Sequence, residues 1–176
     1  MFPQIYETEE MEAKKNTRAT KSKVQPTNEY GHLQPQAREL EEAVLGALMI
    51  EKDAYSLVSE ILRPESFYEH IHQLIYAAIT DLAVRQEPVD ILTVTEQLKK
   101  RGELDEVGGP FYIAQLSGKV ASSAHIEYHA RIIAQKYLAR QLITFTSEIQ
   151  SKAFDETIDV DDLMQESEGK LFEISQ

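Results

Sequence analysis

Apolar residues recur along most of this chain at spacings of three and four, the period of an α-helix rather than of a strand. In "QARELEEAVLGALMIEKD", which follows Pro35, Leu40, Val44, Leu48 and Met49 fall on one helical face. Glu39, Glu41 and Glu42 load the first turns of that helix, where its dipole favours negative charge. A second, short helix is predicted over "AYSLVSEIL", with Asp53 as its cap and Arg63-Pro64 as its breaker. "PESFYEHIHQLIYAAITDLAVRQEP" forms one helical block with an apolar stripe of Ile71, Ile75, Ala78 and Leu82, Leu74 beside it, and Pro88 as its stop. Asp90 is placed to cap "ILTVTEQLKKRG", and Gly102 after three basic residues marks that helix's C-terminus. "ELDEVGG" is a turn, and Pro110 suits the first turn of a short helix, "PFYIAQLSG".

From Ser122-Ser123, either of which can cap, the pattern stays helical for about eight turns. Ile126, Ile133 and Tyr137 form its early apolar row; Leu138, Leu142, Phe145 and Ile149 form the later one. A helix of about 30 residues is expected to overhang a small globule. Asp159 caps a last helix in which Leu163, Leu171 and Ile174 lie near one face. A short linker between helices with matching apolar faces predicts a hairpin. No segment alternates at period two for long. The expected fold is therefore all-α, a compact helical bundle over 34–121 followed by a protruding antiparallel helical hairpin over 122–176. Residues 1–33 are polar, without apolar periodicity, and are expected to be a disordered arm.

Composition narrows the function more than the fold. The 176 residues carry a net charge of −12. Five basic and five acidic residues cancel within 1–30, so 31–176 holds 13 basic against 25 acidic. A phosphate-binding surface needs clustered Lys and Arg. Only Lys99-Lys100-Arg101 approaches one, and it sits where cations simply favour a helix C-terminus. Little direct nucleic-acid binding is expected; a protein partner fits better. The absence of cysteine suits a reducing cytosol. No apolar run nears the ~18 residues of a membrane span, and the N-terminus lacks a signal peptide's apolar stretch.

Three motifs invite chemistry. "LSGKVASS" hints at a phosphate loop, but position 113 is Ile where that motif needs Gly, and Val120 lacks the hydroxyl that would hold magnesium. Gly118 is expected to be a helix C-cap instead. His125 and His129 stand one helical turn apart, but Glu127 between them breaks the zinc-protease order and no third ligand follows. His70 and His72 are two apart and diverge. Asp161-Asp162 and Glu166-Glu168 lie in the opening half of a helix, as a solvated acidic face would. No catalytic or metal site is expected. The apolar excess on the hairpin admits two readings, internal core or an interface with a partner.

The order of segments resembles a known family. "AVLGALM", "FY..H..I..A", "PVD..T", "L...GG..Y...L" and "Y..I......R.LI" occur in register over about 34–176 and look like the N-terminal domain of the bacterial replicative DNA helicase family, DnaB. The resemblance implies a non-catalytic module of a cytoplasmic, nucleoid-associated helicase, with no cofactor of its own. The parent's ATPase domain, which would use ATP and Mg, lies outside the matching segments. The resemblance also implies self-association, as dimers or a trimer of dimers in a hexamer collar, and docking of the DNA primase C-terminal domain. Its primase-contacting face maps here onto Glu39, Tyr112, Ile143 and Ile149, with Tyr112 and Ile149 as core residues the alternative. Leu138, Leu142, Phe145, Leu163, Leu171 and Phe172 are the expected pairing residues, some of which must pack the hairpin internally. A stand-alone helical DNA-binding or protein-interaction domain is the alternative to this reading.

Overall fold

Seven α-helices and one 3-10 turn are the regular elements of the described residues, 33–119 and 125–176 of a computed structural model. The structure divides into two units, Met1–Leu33 and Gln34–Gln176, and the second carries the fold. Its elements are α1 (Arg38–Leu48), α2 (Ala54–Val58), η1 (Pro64–Ser66), α3 (His70–Val84), α4 (Ile91–Arg101), α5 (Gly109–Ser117), α6 (Ile126–Ala153) and α7 (Val160–Ser175). Among the described residues the all-α prediction holds.

Helix α1 is central. It packs against α3, α5 and α6, so Val44, Leu45 and Leu48 are shut away from solvent. Ile75, Tyr76 and Ile79 of α3, Val94 and Leu98 of α4, and Ile113 and Leu116 of α5 complete the same core. Helix α4 starts where its residues dictate. The Asp90 carboxylate accepts from the Leu92 and Thr93 amides at 2.9 Å each, and the Thr93 hydroxyl accepts from the Asp90 amide, a reciprocal capping box. It ends at Gly102, whose φ of 73° closes the last turn in the left-handed region. Asp159 caps α7 through the Asp161 and Asp162 amides.

Some boundaries depart from the sequence expectation. The block from Pro64 is not one helix: η1 is followed by extended residues, and α3 begins only at His70. Helix α2 is shorter than expected, and Asp53 occupies its N-cap position without a capping side-chain bond. Gly118 does terminate α5, but with φ −75°, so the left-handed freedom of glycine is not used there. The expected cap at Ser122 or Ser123 lies outside the described residues.

Helix α6 joins bundle to hairpin. Its first two turns belong to the bundle core through Ile126, Ala130 and Ile133, and no α6 residue beyond Ile133 is fully buried. At 28 residues it is about 42 Å long. Helix α7 packs back along its outer half, and a Lys152–Glu166 ion pair links the two.

Candidate functional site

Two polar residues stand where the helical pattern calls for apolar ones. Glu41 shares the α1 face of Val44, Leu45 and Leu48, and His72 shares the α3 face of Ile75, Tyr76 and Ile79. Each is 1% exposed. Burying them without partners would cost several kcal/mol, so the fold supplies partners. Glu41 Oε2 lies 2.7 Å from His72 Nδ1, and Oε1 accepts from the Tyr68 amide at 2.7 Å. The Glu69 amide reaches Oε2 at 3.4 Å. These two amides immediately precede α3, which has no side-chain cap of its own. A carboxylate from a different helix therefore serves the α3 N-terminus, where a negative charge is favoured. Glu41 is therefore an interior residue although it lies in the first turn of α1.

His72 Nε2 meets the Tyr112 hydroxyl at 2.8 Å. With Nδ1–H donating to Glu41, Nε2 is left to accept the phenolic proton, and all three groups are satisfied. Burial first, and the nearby Glu42 carboxylate second, raise the Tyr112 hydroxyl to about 12, so it keeps its proton as donor at neutral pH. The line Glu41–His72–Tyr112 ties α1 to α3 and α3 to α5. Its chemical order, carboxylate to imidazole to hydroxyl, resembles a nucleophile relay. But a phenol held at about 12 is a poor nucleophile, and His72 has no room for a substrate beside it. A cavity of about 540 Å³, lined by Met49, Tyr55, Ala83, Pro88 and Val89 among others, includes none of the three. The relay holds structure and sets the posture of Tyr112.

Tyr112 is half-buried on α5 and packed beside the first turns of α1, where Glu39 is exposed. Ile143 and Ile149 lie ten and sixteen residues beyond the last core residue of α6, and both are half-buried. The six hairpin residues divide clearly. Leu163 is the one buried residue of α7, against α6, and packs the hairpin internally. Phe145 is half-buried. Leu138 and Leu142 on α6, and Leu171 and Phe172 on α7, are exposed, Phe172 at 66%. Met164, seven residues before Leu171 on α7, and Phe154 at the end of α6 are exposed as well and were missed by the sequence reading. Helical spacing of seven between Met164 and Leu171 was the available signal.

Arg140 anchors the hairpin to the bundle. Its Nη1 donates to the Pro35 carbonyl at 2.7 Å and its Nη2 to the Ser66 carbonyl at 2.8 Å. The guanidinium also lies 5.5 Å from the Tyr68 ring centre and 5.6 Å from that of Tyr137. Burial, the largest influence, lowers its pKa. A lysine ammonium cannot make this planar fork and stack at once. Arg140→Lys is expected to lose about 1–3 kcal/mol in urea unfolding.

The remaining sequence motifs stay plain. His70 is exposed and approaches Glu106, pointing away from buried His72. His125 is exposed, His129 half-buried. Among the described residues no three metal-ligating side chains cluster. Arg101 is engaged by Asp81 and Glu103, which leaves Lys99 and Lys100 as the exposed part of the basic run. Among the described residues no helix is long and apolar enough to cross a membrane.

A family model for the DnaB-like helicase N-terminal domain matches residues 33–135. The replicative DNA helicase DnaB of Rhodothermus marinus is 46% identical over 145 residues, covering 82% of this chain and 15% of that protein. The replicative DNA helicase DnaC of Bacillus subtilis is 40% identical over 144 residues, covering 82% and 32%. The chain thus spans a third or less of these relatives. The crystal structure of the N-terminal domain of DnaB helicase from Mycobacterium tuberculosis superposes with a TM-score of 0.74 at 35% identity, over 79% of this chain and 98% of that one. A structure of a DnaB-like replicative helicase, described together with its interactions with primase, superposes at 0.66 and 25% identity, over 78% and 31%.

Proposed function

Because the chain belongs to the DnaB-like helicase N-terminal domain family, we propose that it is a non-catalytic assembly module of a replicative DNA helicase, pairing subunits and docking primase. Residues 34–121 serve as the bundle, 122–176 as the pairing hairpin and 1–33 as an arm. ATP and Mg belong to another part of the parent helicase, which works in the cytoplasm. Hairpins pair chain with chain through Leu138, Leu142, Phe145, Leu171 and Phe172, and the pairs build the trimer-of-dimers collar of a hexamer. Glu39, Tyr112, Ile143 and Ile149 receive the C-terminal domain of primase.

The observation that carries this reading is the exposed apolar surface of the hairpin. Leu138 and Leu142 on one helix and Leu171 and Phe172 on the other are all exposed, although each would be stabilised by burial. Primase interactions in a DnaB-like structural neighbour support the second half of the reading. The balance of 13 basic against 25 acidic residues in 31–176 favours a protein partner over DNA. Light scattering across a concentration series, followed by calorimetric titration with the primase C-terminal domain, tests it. The expected results are a mass above that of the 20.1 kDa monomer at high concentration and saturable primase binding. A strict monomer that ignores primase and shifts DNA in a low-salt gel assay would overturn it.

A further inference from the structure

The bond between His72 and Tyr112 decides which part of Tyr112 faces outward. The two ring planes are parallel to within 5°, with centroids 6.3 Å apart. The Tyr112 hydroxyl lies 2.8 Å from Nε2, whose lone pair accepts its proton. Such a bond fixes where the hydroxyl end of the phenol sits and so which way the side chain leans. The imidazole itself cannot swing, because Glu41 holds Nδ1 at 2.7 Å and both residues are 1% exposed. Tyr112 is thus braced from behind by two buried side chains on two other helices. What it offers solvent is ring, with its hydroxyl turned inward. Next to it on α5, Phe111 is 81% exposed, so the outward surface there is aromatic.

We infer that His72, braced by Glu41, is a positioning residue for docking through Tyr112: it holds the hydroxyl inward so that a protein partner meets the ring's apolar edge. The inference rests on the reading of Tyr112 as a docking residue. It adds that docking strength depends on a side chain the partner never touches. A phenol released from His72 would be free to swing its hydroxyl end out toward the partner's apolar contact, and ordering it again would weaken binding.

Two conservative substitutions separate positioning from bulk packing. An asparagine amide reaches the place of imidazole Nδ1 and a glutamine amide that of Nε2. His72→Gln therefore keeps a partner for the Tyr112 hydroxyl, whereas His72→Asn keeps only the one for Glu41. Both variants and Tyr112→Phe are titrated with the primase C-terminal domain at a temperature where melting curves show them folded. The expected result is affinity within about twofold of the parent for His72→Gln, and a loss of about fivefold or more for His72→Asn and for Tyr112→Phe. The His72→Asn/Tyr112→Phe double variant should bind no more weakly than the weaker single, since both remove one bond. Carbon-13-labelled tyrosine adds a readout that needs no partner. The Cζ resonance of Tyr112 should stay near the parent's in His72→Gln, where the hydroxyl keeps a partner, and shift away from it in His72→Asn. Equal losses for the two His72 variants, or unchanged binding by His72→Asn, would overturn the inference. If the parent chain itself ignores primase, the docking reading fails, and the Tyr112 Cζ resonance still decides whether His72 holds the hydroxyl.

Discussion

Glu41→Ala is expected to destabilise the bundle by about 3 kcal/mol and to lower its melting temperature by roughly 6–12 °C. The substitution leaves the Tyr68 amide and His72 Nδ1–H without an acceptor in a site closed to water. Each unsatisfied buried donor costs about 1–3 kcal/mol, and the cavity left by the side chain adds to this. Glu41→Gln should cost less, because its amide oxygen can still accept from Tyr68 while His72 changes tautomer. Replacing Glu41 and His72 together with leucine should cost less than the sum of the single losses, since no half of the pair is then stranded. Urea unfolding of these variants and of the two single leucine replacements checks the series. A loss below about 1 kcal/mol for Glu41→Ala would mean that water enters and replaces the carboxylate.

The second large effect concerns association rather than folding. Phe172→Glu places a charge on a side chain that is 66% exposed in the single chain, so monomer stability should change little. If the hairpin face pairs subunits, the same charge becomes buried in an apolar contact. Dimer association should then weaken by about 30-fold or more, as for a central interface residue. Sedimentation measured over a concentration range separates the outcomes. Leu163→Ala is the control with the opposite signature: Leu163 is buried within the hairpin, so it should lower stability first and association only through it. Association unaffected by Phe172→Glu would remove this face from the interface.

The helix-start and helix-stop chemistry was readable because it is local. Asp90 and its box partner Thr93, Gly102 after the basic turn, and Asp159 before α7 all act within three or four residues of sequence. The family resemblance was readable for a related reason, since its anchors are short strings held in order. The relay was not readable. Glu41 in a first helical turn already had a sufficient explanation in the helix dipole. His72 is separated from Glu41 by 31 residues and from Tyr112 by 40. A faint signal existed in the stripes themselves, because positions 41, 44, 45 and 48 share one face and 72, 75, 76 and 79 share another. A polar residue inside such a stripe is either misplaced or partnered, and composition cannot say which.

The sequence by itself determined an all-α fold, the caps of α4 and α7, an excess of acidic over basic residues and a hairpin with surplus apolar area. These follow from periodicity, capping and charge, which operate along the chain. Only the tertiary structure decided that Glu41 and His72 are interior, that α3 starts at His70, and that Tyr112 turns its hydroxyl inward. It alone separated buried Leu163 from exposed Phe172. Burial depends on what lies opposite a side chain in space, and in this fold the opposing group comes from another helix each time.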